Sequence, residues 1–329
     1  MNEHILTLGI DTSNYKTSLA VTDEDGHIIA DSRRFLEVKK GERGLRQSDA
    51  LFQHVQVLPH LLEDVMKDEN IRRHIRCVSV SSRPRPYDDS YMPVFMAGVS
   101  AGRTVAASLG VPLYMFSHQE GHVEAVRRYC AAREAARLIC FHFSGGTTEA
   151  ILLQDSSKTF EIVGGSRDIS YGQLLDRTGV AMGLEFPCGH ILDQMAADAV
   201  SAGRVKKPRI ISAIKVKDGH VNLSGTETQV LRSLREYESQ QIICELFQRM
   251  AFSIYEMTMQ LAEKYHINSF LYAGGVSSSM FLREFLQEKI SKDFDIFFGK
   301  PELSSDNAVG TALLGGKAYG AETGNGDAT

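Results

Sequence analysis

Residues 6–33 read LTLGIDTSNYKTSLAVTDEDGHIIADSR, and residues 138–167 read LICFHFSGGTTEAILLQDSSKTFEIVGGSR. Both stretches share one grammar: an apolar strand, a turn of small hydroxyl or glycine residues, a second apolar strand, a polar turn (DEDG or QDSSK), and a third strand. Two-residue alternation with this turn punctuation predicts a three-stranded meander in each. Such an internal repeat constrains the architecture more than any single local pattern.

The segments after each meander repeat as well. The first is followed by a predicted helix at 50–66, a strand at 77–82, a helix at 94–108 and a strand at 112–116. After the second come predicted helices at 172–182, 191–201 and 240–266, a strand at 269–274, a helix to 289, a strand DIFFG and a last helix from 306. The expectation is an α/β protein with the order β-β-β-α-β-α-β-α twice, two lobes flanking a nucleotide cleft. The boundaries expected are 1–135 for the first lobe, 136–320 for the second and 321–329 for a flexible tail.

Length agrees: 329 residues with 43% hydrophobic content can fill two cores. A net charge of -5 excludes bulk electrostatic binding of nucleic acid. The five cysteines are odd in number and never spaced C-x-x-C, which argues against a disulfide framework or a cysteine zinc site. The N-terminal MNEHILTLGID lacks a basic start, and the mild segment 92–116 is interrupted by Arg103, so a cytoplasmic protein without membrane contact is expected.

Turns of Gly, Ser and Thr can surround phosphate oxygens with backbone N–H groups and hydroxyls. SGGTT at 144–148 is one such turn; DTSNYKTS at 11–18 adds Asp11 for a cation or water and Lys16 for a phosphate. An ordinary hairpin turn uses the same residues, but duplication at matching places favours the phosphate reading. AGGVSSS at 273–279 and SSDNA at 304–308 sit before predicted helices, where Asp306 could be an N-terminal cap and no more.

His118 and His122, in SHQEGH, stand at i and i+4 of a predicted helix capped by Ser117. That spacing suits one metal ion, and equally suits two exposed helical histidines. The zincin pattern H-E-x-x-H is not met, since the glutamate stands one position later and points about a hundred degrees away. A protease is therefore disfavoured.

HQEGH, FSGG, LLDRTGVAMGLEFPCGHILDQMA, YAGGVSSSMFLR and SSDNA, in this order, resemble the tRNA threonylcarbamoyladenosine-forming transferases, once called O-sialoglycoprotein endopeptidases. The resemblance covers nearly the whole chain. It implies the actin-like ATPase (ASKHA) fold and a threonylcarbamoyl group passed from an adenylate to adenosine of tRNA, or a paralogous carbamoyl transfer. It also implies metal ligands at His118, His122 and Asp306 for iron or zinc. For ATP, ADP or an acyl-adenylate it implies contacts at His142, Phe143, Ser144, Gly145 and Gly146, with Asp176, Gly189, Asp193 and Ser279. Partner proteins sharing the tRNA, or a dimer with itself or an actin-like relative, are implied too.

The sequence also departs from that family. Tyr15-Lys16 replaces an adjacent Asp-Glu pair, Thr147 a histidine, Ser279 an asparagine, and Arg83–Asp89 a flexible glycine loop. These changes suggest a divergent paralogue, and they motivate an alternative: a regulatory subunit that binds nucleotide without catalysis. Basic residues at Arg72, Arg73 and Arg76, and at Arg204, Lys206, Lys207, Arg209, Lys215 and Lys217, are either solvated faces or RNA contacts.

Overall fold

The computed structural model describes residues 5–13, 15–38, 45–87, 89–155, 159–201, 209–304 and 306–324. The chain forms two compact units, one running to Arg128 and resuming at Ser305, the other spanning Tyr129–Ser304.

In the first unit the meander is β1 (Leu6–Asp11), β2 (Lys16–Thr22) and β3 (Ile28–Phe35). After it come α1 (Gln47–Met66), a short α2 (Glu69–His74), β4 (Ile75–Arg83), α3 (Phe95–Leu109), β5 (Leu113–Ser117) and α4 (His118–Arg128). The sheet order is β3-β2-β1-β4-β5, with β1–β3 antiparallel and β4 and β5 parallel to β1. Alternation along β1 separates two faces. Leu6, Leu8 and Ile10 join Leu58, Leu61 and Val99 of α1 and α3 in one core. Thr7, Gly9 and Asp11 face the other way. There Ser79 of β4 donates to the Thr311 carbonyl at 2.6 Å, and Ser81 hydrogen-bonds the Thr311 hydroxyl at 3.0 Å.

Thr311 belongs to α10 (Val309–Thr323), so the last helix lies on the first sheet. This corrects the expected boundary at 320. Helix α10 carries Gly310, Thr311, Ala312 and Gly315 where it meets the sheet and α4, and only small residues fit that close approach. A Cβ on Gly310 would stand 1.8 Å from the Gly121 carbonyl oxygen of α4. The expected tail is corrected in part, since Ala321–Thr323 are helical; residues 325–329 lie outside the described residues.

The second unit repeats the design with β6 (Arg137–Phe143), β7 (Thr148–Gln154) and β8 (Thr159–Ser166). Then follow α5 (Tyr171–Ala181), α6 (Gly189–Ser201), β9 (His220–Val221), α7 (Ser224–Ser233), α8 (Ser239–Tyr265), β10 (Ser269–Ala273), α9 (Met280–Ile290) and β11 (Asp295–Phe298). Its order, β11-β10-β6-β7-β8-β9, matches the first sheet with β9 added at one edge. Phe141, Phe143, Phe270 and Tyr272 fill the core against α8. Elements α2, β9 and α7 were not foreseen; each is short or lacks a clean apolar period.

Candidate metal and nucleotide sites

In the first unit, parallel strands β1 and β5 end at one edge of the sheet, at Asp11 and Ser117. Ligand sites of open α/β sheets form at such carboxyl ends. Ser117 caps α4 as expected: its hydroxyl accepts the Glu120 N–H at 3.2 Å, while Glu120 Oε2 accepts the Ser117 N–H at 2.7 Å and its O–H at 2.6 Å. This reciprocal capping box occupies the glutamate of HQEGH at the helix start. Glu120 is thereby held away from the role a zincin glutamate would need.

The capped helix turns both histidines inward. Their side chains are 12% and 5% exposed, so they are not two solvated helical histidines. The Nε2 atoms of His118 and His122 lie 3.5 and 3.0 Å from Asp306 Oδ1. Asp306 is not the cap of α10; the Val309 N–H goes to Asn307 Oδ1 at 3.0 Å, leaving the Asp306 carboxylate for the histidines. Behind them, His118 Nδ1 meets Asp11 Oδ1 at 3.1 Å, and Ser13 donates to the other Asp11 oxygen at 2.6 Å. With Nδ1–H given to Asp11, His118 would present an Nε2 lone pair once its second proton leaves, the usual outer-shell arrangement of a metal-binding imidazole. The three donor atoms lie within 4.8 Å of one another, and two imidazoles with one carboxylate suit iron or zinc with open positions.

In the second unit the 144–147 turn is closed by the Ser144 N–H to the Thr147 carbonyl at 2.8 Å and the Thr147 N–H to the Ser144 hydroxyl at 3.1 Å. A Cβ on Gly145 or Gly146 would meet nothing within 4 Å, so packing alone does not demand glycine there. Gly274 is different: its φ is +91°, and a Cβ would stand 2.3 Å from the Phe143 carbonyl oxygen. Of the expected segment 142–146, His142 and Phe143 have buried side chains, and the Phe143 ring packs on Phe141 and Tyr171. Only Ser144, Gly145 and Gly146 come to the surface.

Asp176, on α5, accepts the Cys188 N–H at 2.8 Å, and burial pushes its carboxyl up. Gly189 opens α6 with open space where a Cβ would stand. Asp193, expected to meet a ribose, accepts the Ser279 hydroxyl at 2.5 Å and the Met280 and Phe281 N–H groups at 2.8 and 3.3 Å. It thus caps α9 from a neighbouring helix. Arg283 was missed: its guanidinium donates to the Ser277 and Gly299 carbonyls at 2.7 and 2.8 Å and fixes the AGGVSSS loop. One arginine in an amphipathic helix gives no sign of that role.

The model of the family described as TsaD, tRNA N6-adenosine threonylcarbamoyltransferase, matches residues 34–313. The chain belongs to this family. A probable bifunctional tRNA threonylcarbamoyladenosine biosynthesis protein of Methanothermobacter thermautotrophicus is 28% identical over 96% of the chain, which spans 56% of that relative. A tRNA N6-adenosine threonylcarbamoyltransferase of Geobacillus kaustophilus is 26% identical over 97% of the chain and 93% of its own length. Among solved structures, HypF of T. kodakarensis superposes with a TM-score of 0.59 at 12% identity, over 97% of the chain and 48% of HypF. A ROK family glucokinase of Streptomyces griseus, solved with glucose and AMPPNP, gives 0.52 at 13%, over 94% and 99%. These likenesses establish the actin-like ATPase fold.

Burial pulls the His118 imidazolium down, yet Asp11 and Asp306 hold it up at about 10. Burial and the His118 charge pull His122 down, while both histidines keep Asp306 well below the usual carboxylate range against its burial. A metal ion held by these donors would displace the His118 proton, so its affinity is expected to rise as the pH climbs toward the His118 value. Calorimetric titration of zinc in buffers of different ionisation enthalpy should show release of about one proton per ion. Release of none would contradict this assignment.

Elsewhere, Arg72 and Arg73 form exposed ion pairs with Glu69, which is what a solvated face looks like. Arg204, Lys206 and Lys207 lie outside the described residues, as do Asn14 and Asp88. Among the described residues no helix is long and apolar enough to cross a membrane.

Proposed function

We propose that this chain is a metal- and nucleotide-dependent transferase that passes a threonylcarbamoyl group from its adenylate to N6 of an adenosine in tRNA. The convergence of His118, His122 and Asp306 on one point, with Asp11 behind His118, carries this reading. Iron or zinc bound there would supply Lewis acidity toward phosphate and carbonyl oxygens. Asp11 holds the ring of His118 in place, and the Ser117–Glu120 box sets the pitch of the helix that bears both histidines. In the second unit, the Ser144–Gly146 turn offers N–H groups to phosphate, and Asp176 on α5 holds the turn at Cys188 by accepting the Cys188 N–H. In the reaction a C–N bond forms at the carbamoyl carbon as its bond to AMP breaks, and N6 loses a proton. Placement and charge stabilisation account for most of the rate in such transfers.

Thr147 and the Tyr15-Lys16 pair favour a second reading, a nucleotide-binding regulatory subunit that needs neither side chain for chemistry. A net charge of -5 suggests that tRNA is shared with partner proteins in either case. The full chain, loaded with metal, is incubated with threonylcarbamoyl-adenylate, unmodified tRNA and the partner proteins of the modification system. The expected result is N6-threonylcarbamoyladenosine in the digested tRNA. Nucleotide binding without any modified nucleoside would reject the transferase and leave the regulatory subunit.

A further inference from the structure

We propose that Lys16 is an anion-gripping residue of the His118–His122–Asp306 site, binding a phosphate oxygen of the ligand held there. The inference rests on the metal-site reading above and adds to it a residue and a ligand chemistry. Lys16 opens β2 immediately after the turn begun at Asp11, and its N–H closes that turn on the Ser13 carbonyl at 3.3 Å. Ser18, two positions on and so on the same face of β2, accepts the Ala308 N–H at 2.8 Å. That bond seats the segment bearing Asp306 against the strand face from which Lys16 projects. Thr17, on the opposite face, hydrogen-bonds His54 of α1 at 2.9 Å.

The ammonium rests 4.6 Å from the centroid of Phe35, its register partner on β3, and that ring is 70% exposed. An exposed cation–π contact is weaker than a charge-assisted hydrogen bond to phosphate, so a flexible lysine exchanges one for the other. Asp306 also acts on it: burial lowers the ammonium and the Asp306 carboxylate raises it. Charge counting gives the ligand class. A divalent ion offsets the Asp11 and Asp306 carboxylates, and Arg33 is taken by Asp31 at 2.5 Å. Lys16 then leaves the site with net positive charge, suited to a phosphate or diphosphate.

The test titrates inorganic pyrophosphate into the metal-loaded full chain by calorimetry, with metal content measured in parallel, for wild type, K16M and K16R. The expected result is that K16M binds pyrophosphate roughly tenfold or more weakly than wild type, with unchanged metal content. K16R should bind within a few-fold of wild type, and the K16M deficit should shrink at high salt. Metal-loaded K16M binding as tightly as wild type overturns the role of Lys16 and leaves the metal site standing. Loss of metal from K16M overturns it as well, since Lys16 would then act on the ion. Wild type without bound metal overturns the site reading itself.

Discussion

Protein carrying His118→Ala and His122→Ala leaves gel filtration with less than about a tenth of the iron or zinc that wild type retains, because two of three inner donors are gone. Metal analysis of both purified proteins reads this directly. Both rings are largely buried and His122 packs edge-on to His118 at 4.3 Å, so the double variant also loses packing. Asp306→Asn therefore accompanies it: the volume is kept and one anionic donor is lost. Retention should fall in both, with thermal unfolding used to confirm that the Asn variant is folded. Metal content equal to wild type in the folded Asn variant and in the double variant would remove the proposed centre.

Gly310→Ala is expected to be the most damaging single methyl in the first unit. The added Cβ would lie 1.8 Å from the Gly121 carbonyl oxygen and 2.8 Å from the Ala125 nitrogen, both backbone of α4. No rotamer relieves a clash with backbone, so α10 or α4 must move, at a cost of roughly 3 kcal/mol or more. For a unit of this size the midpoint of thermal unfolding should fall by about 6–12 °C. Gly225→Ala, on α7, is the control: a Cβ there meets nothing within 4 Å, and helix propensity favours alanine by up to about 1 kcal/mol. Equal midpoints for the two variants would refute the packing argument. Gly310→Ala should also retain less metal, since Asp306 enters the site from the segment leading into α10.

The paired meanders were legible because alternation and turn chemistry act over a few residues. The register bears this out in detail: Asp11 faces Ser18 at the end of the first hairpin as Phe143 faces Thr148 at the end of the second. His118 and His122 were legible as a pair through helical spacing. Asp306 came only from a family resemblance, because it stands 184 residues beyond His122 and no local pattern links them. Asp193 has a second role that the resemblance did not indicate: its carboxylate accepts the Met280 and Phe281 N–H groups at the start of the helix it faces.

The chain by itself determined two related α/β units, the strand edges where their small-residue turns fall, and the capped helix that carries two histidines. Short-range alternation, capping and repetition are sufficient for those. Tertiary structure alone decided that α10 leaves the second repeat for the first sheet, and with it which acid meets the histidines. The physical reason is shape: Gly310, Thr311, Ala312 and Gly315 fit closely against the Thr7, Gly9, Ser79 and Ser81 face and against Gly121. That complementarity joins residues hundreds of positions apart, where periodicity carries no information.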